Sequence, residues 1–296
     1  MSDSIILRPL HEEVYELTLN RPQKANVLNG EMIQAFSQCL KQLVETKNVR
    51  VLIIRGAGEW FCAGADVKWI LASGKNTEAD NDSDALQLAN LLNQLKKMPM
   101  YTIARVSGGA MGGGIGLLSC CDMVIAVEDA EFCFGELKLG LIPATIMPYI
   151  ISAMGIRHTQ RYVLSAEKFT SQTAKEAGLI HVIVKNSEMN TVVERYIRMG
   201  LSTAPGAFLL CKSILVKKNS LDKSTIDETA KLLAECRRTD EAKEGIISFL
   251  EKRLASWVTT FDITCKADLI DDKYKGKGKG KGKGKGKGWE KGNDQR

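Results

Sequence analysis

The chain has 296 residues, 44% hydrophobic and 26% charged, enough for one large domain or two modest ones with an ordinary globular core. No apolar run approaches the roughly 18 residues of a membrane span, and Met1–Leu10 lacks the basic start and long apolar stretch of a secretory signal. The formal charge of +6 is uneven: residues 258–296 carry eleven Lys and Arg against six Asp and Glu, leaving thirty against twenty-nine over residues 1–257.

Alternating apolar positions at Val14, Tyr15, Leu17 and Leu19, followed by Asn20-Arg21-Pro22, predict a strand pair over residues 5–20. Met32, Ile33, Phe36, Cys39, Leu40 and Leu43 recur at helical spacing. Val49–Arg55 reads as a buried strand, and Gly56–Gly64 as a glycine-punctuated loop. Residues 73–84, SGKNTEADNDSD, are polar and predict a mobile surface loop before a helix over 85–97. Met100–Val106 is a second buried strand, followed by SGGAMGGGIG and an apolar helix to Cys121. Met123–Val127 and Ala130–Phe134 are strand-like. Strands alternating with helices predict an α/β fold with crossover connections. From 187 to 257 the pattern is helical, over 189–199, 207–218, 224–237 and 240–254.

The eight cysteines show no C-x-x-C spacing and mostly sit in apolar surroundings. Reduced, buried thiols in a cytoplasmic protein are expected, with adjacent Cys120 and Cys121 acting as small hydrophobes. Residues 275–288 are seven Lys-Gly pairs. Lysine offers no apolar face and glycine costs backbone entropy, so disorder is expected there. Such a run either tethers the chain electrostatically to RNA or another anion, or is a solvated tail.

Three segments bear chemistry. Phe61-Cys62-Ala63-Gly64-Ala65-Asp66 follows a strand, and its small residues let a ligand approach the main chain, although a plain turn looks similar. Gly112-Gly113-Gly114 opens a helix, whose unpaired N–H groups favour an anion. Tight helix–strand packing explains it equally, and neither the dinucleotide fingerprint nor a P-loop is present. Glu136 lies in FCFGELKLGLIP among apolar residues. If buried, desolvation raises its pKa and suits it to proton transfer; the alternative is an exposed carboxylate or a pair with Lys138. His11, His158 and His181 show neither metal spacing nor a paired nucleophile.

Together and in this order, the segments resemble the enoyl-CoA hydratase/isomerase (crotonase) superfamily. The resemblance spans about residues 5–257, through LNRPQKANVLN, FCAGADVK, GGAMGGG, CCDMVIA, FGELKLGLIP and EGIISFLEKR. GLLSCCDMVIA and EFCFGELKLGLIPATIMPYI look most similar to bacterial 3-methylglutaconyl-CoA hydratases. The resemblance implies a crotonase-like spiral of ββα units over residues 1–186, a C-terminal helical oligomerisation subdomain over 187–257 and a tail over 258–296. It implies a homotrimer or dimer of trimers.

It further implies that the Ala65 and Gly113 amides form an oxyanion hole and that Glu136 is the acid/base. Ala63 would meet the adenine through its backbone, and Lys24, Lys68 and Lys252 the CoA phosphates, Lys252 from a neighbouring subunit. Ala25, Gly64, Asp66 and Gly112 would complete the substrate-contacting set. No metal or separate cofactor is implied, since CoA arrives with the substrate. One departure stands out. Hydratases with two catalytic glutamates carry one two residues after the triple glycine, where this chain has Gly116. The family likeness therefore points to hydration of a branched 2-enoyl-CoA, and the single glutamate to double-bond isomerisation. A non-catalytic CoA- or RNA-binding protein is a third reading.

Overall fold

The computed structural model describes residues 3–73, 77–216 and 239–259. Strands β1 (Ile5–His11) and β2 (Val14–Leu19) form the predicted antiparallel hairpin, with a register shift between Pro9 and His11. Helix α1 (Gly30–Glu45) starts where the Asn29 side chain accepts the Met32 N–H. Its side chains at three- and four-residue spacing are buried, as the periodicity requires. Strands β3 (Val51–Gly56) and β4 (Tyr101–Val106) continue the sheet in parallel. Between them lie α2 (Val67–Ser73) and α3 (Glu78–Lys96).

After β4 the chain steps into a second sheet. Gly109, at φ +133°, permits this: a β-carbon there would lie 2.0 Å from the Glu131 carbonyl oxygen. Strand β5 (Gly109–Met111) pairs with β7 (Glu131–Cys133), and β7 with β8 (Lys168–Thr170). Helix α4 (Gly113–Cys120) returns the chain to β6 (Met123–Val127), which pairs with β4 and with β9 (Val182–Val184). The large sheet runs β1-β2-β3-β4-β6-β9 and the small one β5-β7-β8. Helix α5 (Met147–Ser165), kinked at Gly155, and α6 (Ser171–Glu176) complete this part. The β4-β5-α4 and β6-β7-α5 units thus each give one strand to each sheet before a helix follows, as in the crotonase-like ββα spiral.

Helix α7 (Met189–Leu201) buries Val193, Ile197 and Leu201 against β3, β4 and β6, within the same apolar core. Helices α8 (Pro205–Val216) and α9 (Asp240–Leu250) follow. Helix α8 and the segments before α8 and after α9 meet the N-terminal ends of the parallel strands. Arg50 donates to the Trp257 carbonyl at 2.9 Å and to those of Gly200 and Thr203. Lys212 donates to the Met100 carbonyl at 2.8 Å and pairs with Asp122. The opposite, C-terminal ends of β3 and β4 release the loops that build the site.

The expected loop over 73–84 is corrected: α3 begins at Glu78, drawn into helix by a C-terminal half whose Leu91, Leu92 and Leu95 are fully buried. Residues 74–76 lie outside the described residues, as do the helix expected over 224–237 and the Lys-Gly run. The helix expected over 240–254 ends at Leu250. Cys39, Cys62, Cys120, Cys121 and Cys133 are buried free thiols, whereas Cys211 is exposed. Burial pushes the Cys62 and Cys121 thiols up to about 12. Among the described residues, no helix is long and apolar enough to cross a membrane, and no group of three or more His, Cys, Asp or Glu could hold a metal ion.

Candidate active site

The first wall is residues 21–28 laced to residues 57–66. Ala25 and Asn26 adopt positive φ of 49° and 56°, a region that asparagine tolerates better than most residues. This turns the buried Asn26 amide inward, where it donates to the Ala57 carbonyl at 2.9 Å and the Trp60 carbonyl at 2.7 Å. Its oxygen accepts the Arg21 N–H at 2.8 Å. The Arg21 guanidinium donates to the Val27 carbonyl at 2.6 Å and to Asp66 at 3.0 Å. The second Asp66 oxygen accepts the Lys68 N–H at 3.1 Å, at the start of α2. Burial by itself pushes the Asp66 carboxyl up. The Arg21 hydrogen bond, Lys24 and the Lys68 N–H outweigh it and hold the group below its ordinary value.

Main-chain bonds then fix which groups remain available. The Ala63 N–H donates to the Ala25 carbonyl at 2.9 Å, the Leu28 N–H to the Gly64 carbonyl at 2.7 Å, and the Asp66 N–H to the Leu28 carbonyl at 2.7 Å. In a trans peptide the N–H points opposite the preceding carbonyl. Since the Gly64 carbonyl faces Leu28, the Ala65 N–H faces away from it. The Met111 N–H donates to the Cys62 carbonyl at 3.0 Å, and a β-carbon on Gly64 would lie 3.2 Å from the Met111 carbonyl oxygen. Residues 62–66 therefore run between residues 25–28 and residues 110–114.

Gly113 is the first residue of α4, so no carbonyl one turn earlier takes its N–H. The Gly112 carbonyl accepts the Gly116 N–H at 3.1 Å, which aims the Gly113 N–H out of the helix start. Among the described residues, neither the Ala65 nor the Gly113 amide donates a hydrogen bond. Leu28 spans both: its backbone brackets Ala65, and its Cδ1 would lie 3.3 Å from a β-carbon on Gly113.

Glu136 opens a 3-10 turn after β7. The Gly112 N–H donates to the Cys133 carbonyl at 3.0 Å and ties this turn to the start of α4. A β-carbon on Gly112, at φ +45°, would lie 2.4 Å from Glu136 Oε1 and 3.3 Å from Oε2. The carboxyl group thus rests on the Gly112 α-carbon, one residue before the undonated Gly113 amide. Its Oε2 is buried with no hydrogen-bond partner among the described residues. Burial pushes the Glu136 carboxyl up, and its own backbone N–H opposes this only in part. Glu136 is half-buried, with its Oε2 enclosed, and among the described residues it makes no ion pair with Lys138.

The remaining expected contacts divide. Ala63 has its N–H engaged and presents its carbonyl; Ala25, Gly64 and Gly112 line the same seam. Asp66 is largely occupied in holding Arg21, Lys24 and the start of α2. Lys24 and Lys68 are exposed beside it, Lys24 at 3.6 Å from the Asp66 carboxylate. Lys252 is exposed on the turn after α9. The sequence reading missed Arg21 and Asn26, although a polar turn after a strand is a weak cue for both. Two cavities, of about 470 Å³ along α7 and about 330 Å³ bordered by Lys96, Asp122, His181 and Lys212, lie elsewhere and include none of Ala65, Gly113 or Glu136.

The two sheets, two main-chain amides that donate no hydrogen bond among the described residues, and a half-buried carboxyl at one seam define an α/β protein whose site sets main-chain donors beside a carboxyl group. Residues 10–260 match the enoyl-CoA hydratase/isomerase family. The chain is 30% identical over 256 residues to a 1,2-epoxyphenylacetyl-CoA isomerase of Escherichia coli, covering 84% of this chain and 96% of that protein. Among solved structures it is similar to an enoyl-CoA hydratase from Shewanella pealeana (36% identity, TM-score 0.81, 86% of this chain and 96% of the other). It is also similar to Pseudomonas aeruginosa AtuE (29% identity, TM-score 0.82, 86% and 100%). The chain belongs to the enoyl-CoA hydratase/isomerase family.

Proposed function

We propose that this enzyme of acyl-CoA chemistry hydrates a branched 2-enoyl-CoA of the 3-methylglutaconyl-CoA kind through an enolate held by the Ala65 and Gly113 amides. The carrying observation is the Glu136 carboxyl seated on Gly112, next to an amide with no acceptor among the described residues. Negative charge develops on the thioester oxygen when a nucleophile adds at Cβ. Preorganised N–H groups stabilise that charge, and losing one such donor typically costs about 10²–10³ in rate. Water bonds to Cβ through its oxygen while the Glu136 carboxylate takes the released proton. The Cα–Cβ pair moves into the enolate, and the protonated Glu136 returns its proton to Cα. One carboxyl group closes that cycle, and the raised pKa of Glu136 suits it to both halves.

A second reading, double-bond isomerisation, is favoured by Gly116. Glu136 would remove a proton from Cα of a 3-enoyl-CoA and deliver it to Cγ, again through the enolate. CoA would lie with its adenine at the Ala63 carbonyl and its phosphates near Lys24 and Lys68, with Lys252 supplied by a neighbouring subunit of a trimer or dimer of trimers. We place the enzyme in the cytoplasm, with no separate cofactor and with weak nucleic-acid contact through the Lys-Gly run as a further proposal.

Incubating the protein with 3-methylglutaconyl-CoA, crotonyl-CoA and a 3-enoyl-CoA tests these readings. Loss of enoyl absorbance reports hydration and its gain reports isomerisation. Glu136→Gln should lower either rate by about 10²–10⁴; wild-type turnover in that variant excludes Glu136 as the proton carrier.

A further inference from the structure

The family resemblance marks residue 116 as the place of a second glutamate. The structure adds what occupies the space beside it. Gly116 is one helical turn beyond Gly112, to whose carbonyl it donates. A β-carbon on Gly116 would lie 2.3 Å from Ile146 Cγ2, 2.9 Å from Ile146 Cβ and 3.6 Å from Leu92 Cδ2. Ile146 is 1% exposed and Leu92 fully buried. The first two distances are shorter than any real β-carbon contact, and both fall on the branched, stiff part of the isoleucine rather than on a flexible tip. Ile146 stands just before α5, and its carbonyl accepts the Ile150 N–H at 3.1 Å, so the backbone that carries it is anchored. Even alanine at 116 requires Ile146 to move.

We propose that Ile146, seated on Gly116, is the specificity-determining residue that confines this centre to one carboxyl group and thereby sets the partition between water addition and proton shift. The inference rests on the enolate reading above. Hydration needs a place for water and gains from a second acid, whereas a 1,3-proton shift needs one carboxyl group and a dry wall. Ile146 fills the space where a second acid would stand, which slows water addition relative to the proton shift without closing Glu136 to either. Atoms balance in either direction: hydration incorporates one water across Cα–Cβ, and the shift returns to Cγ the proton taken from Cα, with no change of oxidation state.

The experiment measures the ratio of crotonyl-CoA hydration to 3-enoyl-CoA isomerisation in wild type, Ile146→Ala, Ile146→Val and the double variant Gly116→Glu/Ile146→Ala, with CoA affinity measured alongside. The double variant should raise the ratio about 10²-fold, the lower reach of one added acid/base group. Ile146→Ala should raise it by a smaller factor, and Ile146→Val should stay near wild type. A ratio unmoved in folded variants that still bind CoA overturns the inference while the enolate reading stands. Absence of wild-type turnover of these two substrates and of 3-methylglutaconyl-CoA overturns the enolate reading itself. If the double variant does not fold, the ratio in Ile146→Ala against Ile146→Val decides: a rise in the first alone supports the inference, and equal ratios overturn it.

Discussion

Replacing Gly112 by alanine perturbs the site through one methyl group. The new β-carbon would stand 2.4 Å from Glu136 Oε1, about 1 Å inside ordinary contact, so the carboxyl group must retreat by about that distance. Misplacing a reacting group by about 1 Å costs on the order of 10²-fold in rate. The backbone also pays, because φ +45° with ψ −115° is a glycine conformation. Holding an L-residue there costs about 1–3 kcal/mol, which lowers the melting temperature by roughly 2–10 °C in a chain of this size. The assay is kcat and KM on the acyl-CoA substrate, with calorimetric melting and titration of CoA on the same preparation. Gly155→Ala is the control, since Gly155 also has positive φ but would meet nothing within 4 Å. It should lose stability and keep kcat. The account expects Gly112→Ala to lose about 10²-fold in kcat with CoA affinity nearly unchanged. A folded Gly112→Ala enzyme with wild-type kcat would refute the placement of Glu136.

Two further outcomes follow from burial. Because the folded state raises the Glu136 pKa, its ionisation works against folding as pH rises from the ordinary carboxylate value through the raised one. Glu136→Gln should therefore melt higher than wild type at pH 7, with the difference closing as pH falls to about 4.5; calorimetry over that range checks it. Arg21→Ala removes one of three partners of the part-buried Asp66 carboxylate and the side-chain donor of the Val27 carbonyl, a loss of about 1–3 kcal/mol. Denaturant unfolding should show that loss, together with weaker CoA binding as the seam over 63–66 loosens.

The legible parts of the fold were those set by local pattern. The hairpin over 5–20, α1 and the buried strands β3, β4 and β6 follow from alternation, helical spacing and short apolar runs. The start of α3 did not, because its acidic and amide residues favour turns and only the buried leucines further along pull them into helix. In the site, Glu136 and the glycine-rich turn were legible as residue types in order. The Arg21–Asp66 pair and the Asn26 clamp join segments far apart in sequence, and no local signal states the pairing. Gly116 was legible as an absence. What fills the space, Ile146, is a packing fact that only the fold supplies.

A crystal structure of the enzyme with a non-reactive acyl-CoA thioester tests the central claim most directly. The account predicts the thioester oxygen at about 2.7–3.1 Å from both the Ala65 and Gly113 nitrogens, with Glu136 within reach of Cα. A thioester bound away from those amides, or a Glu136 carboxyl turned from Cα, would contradict it.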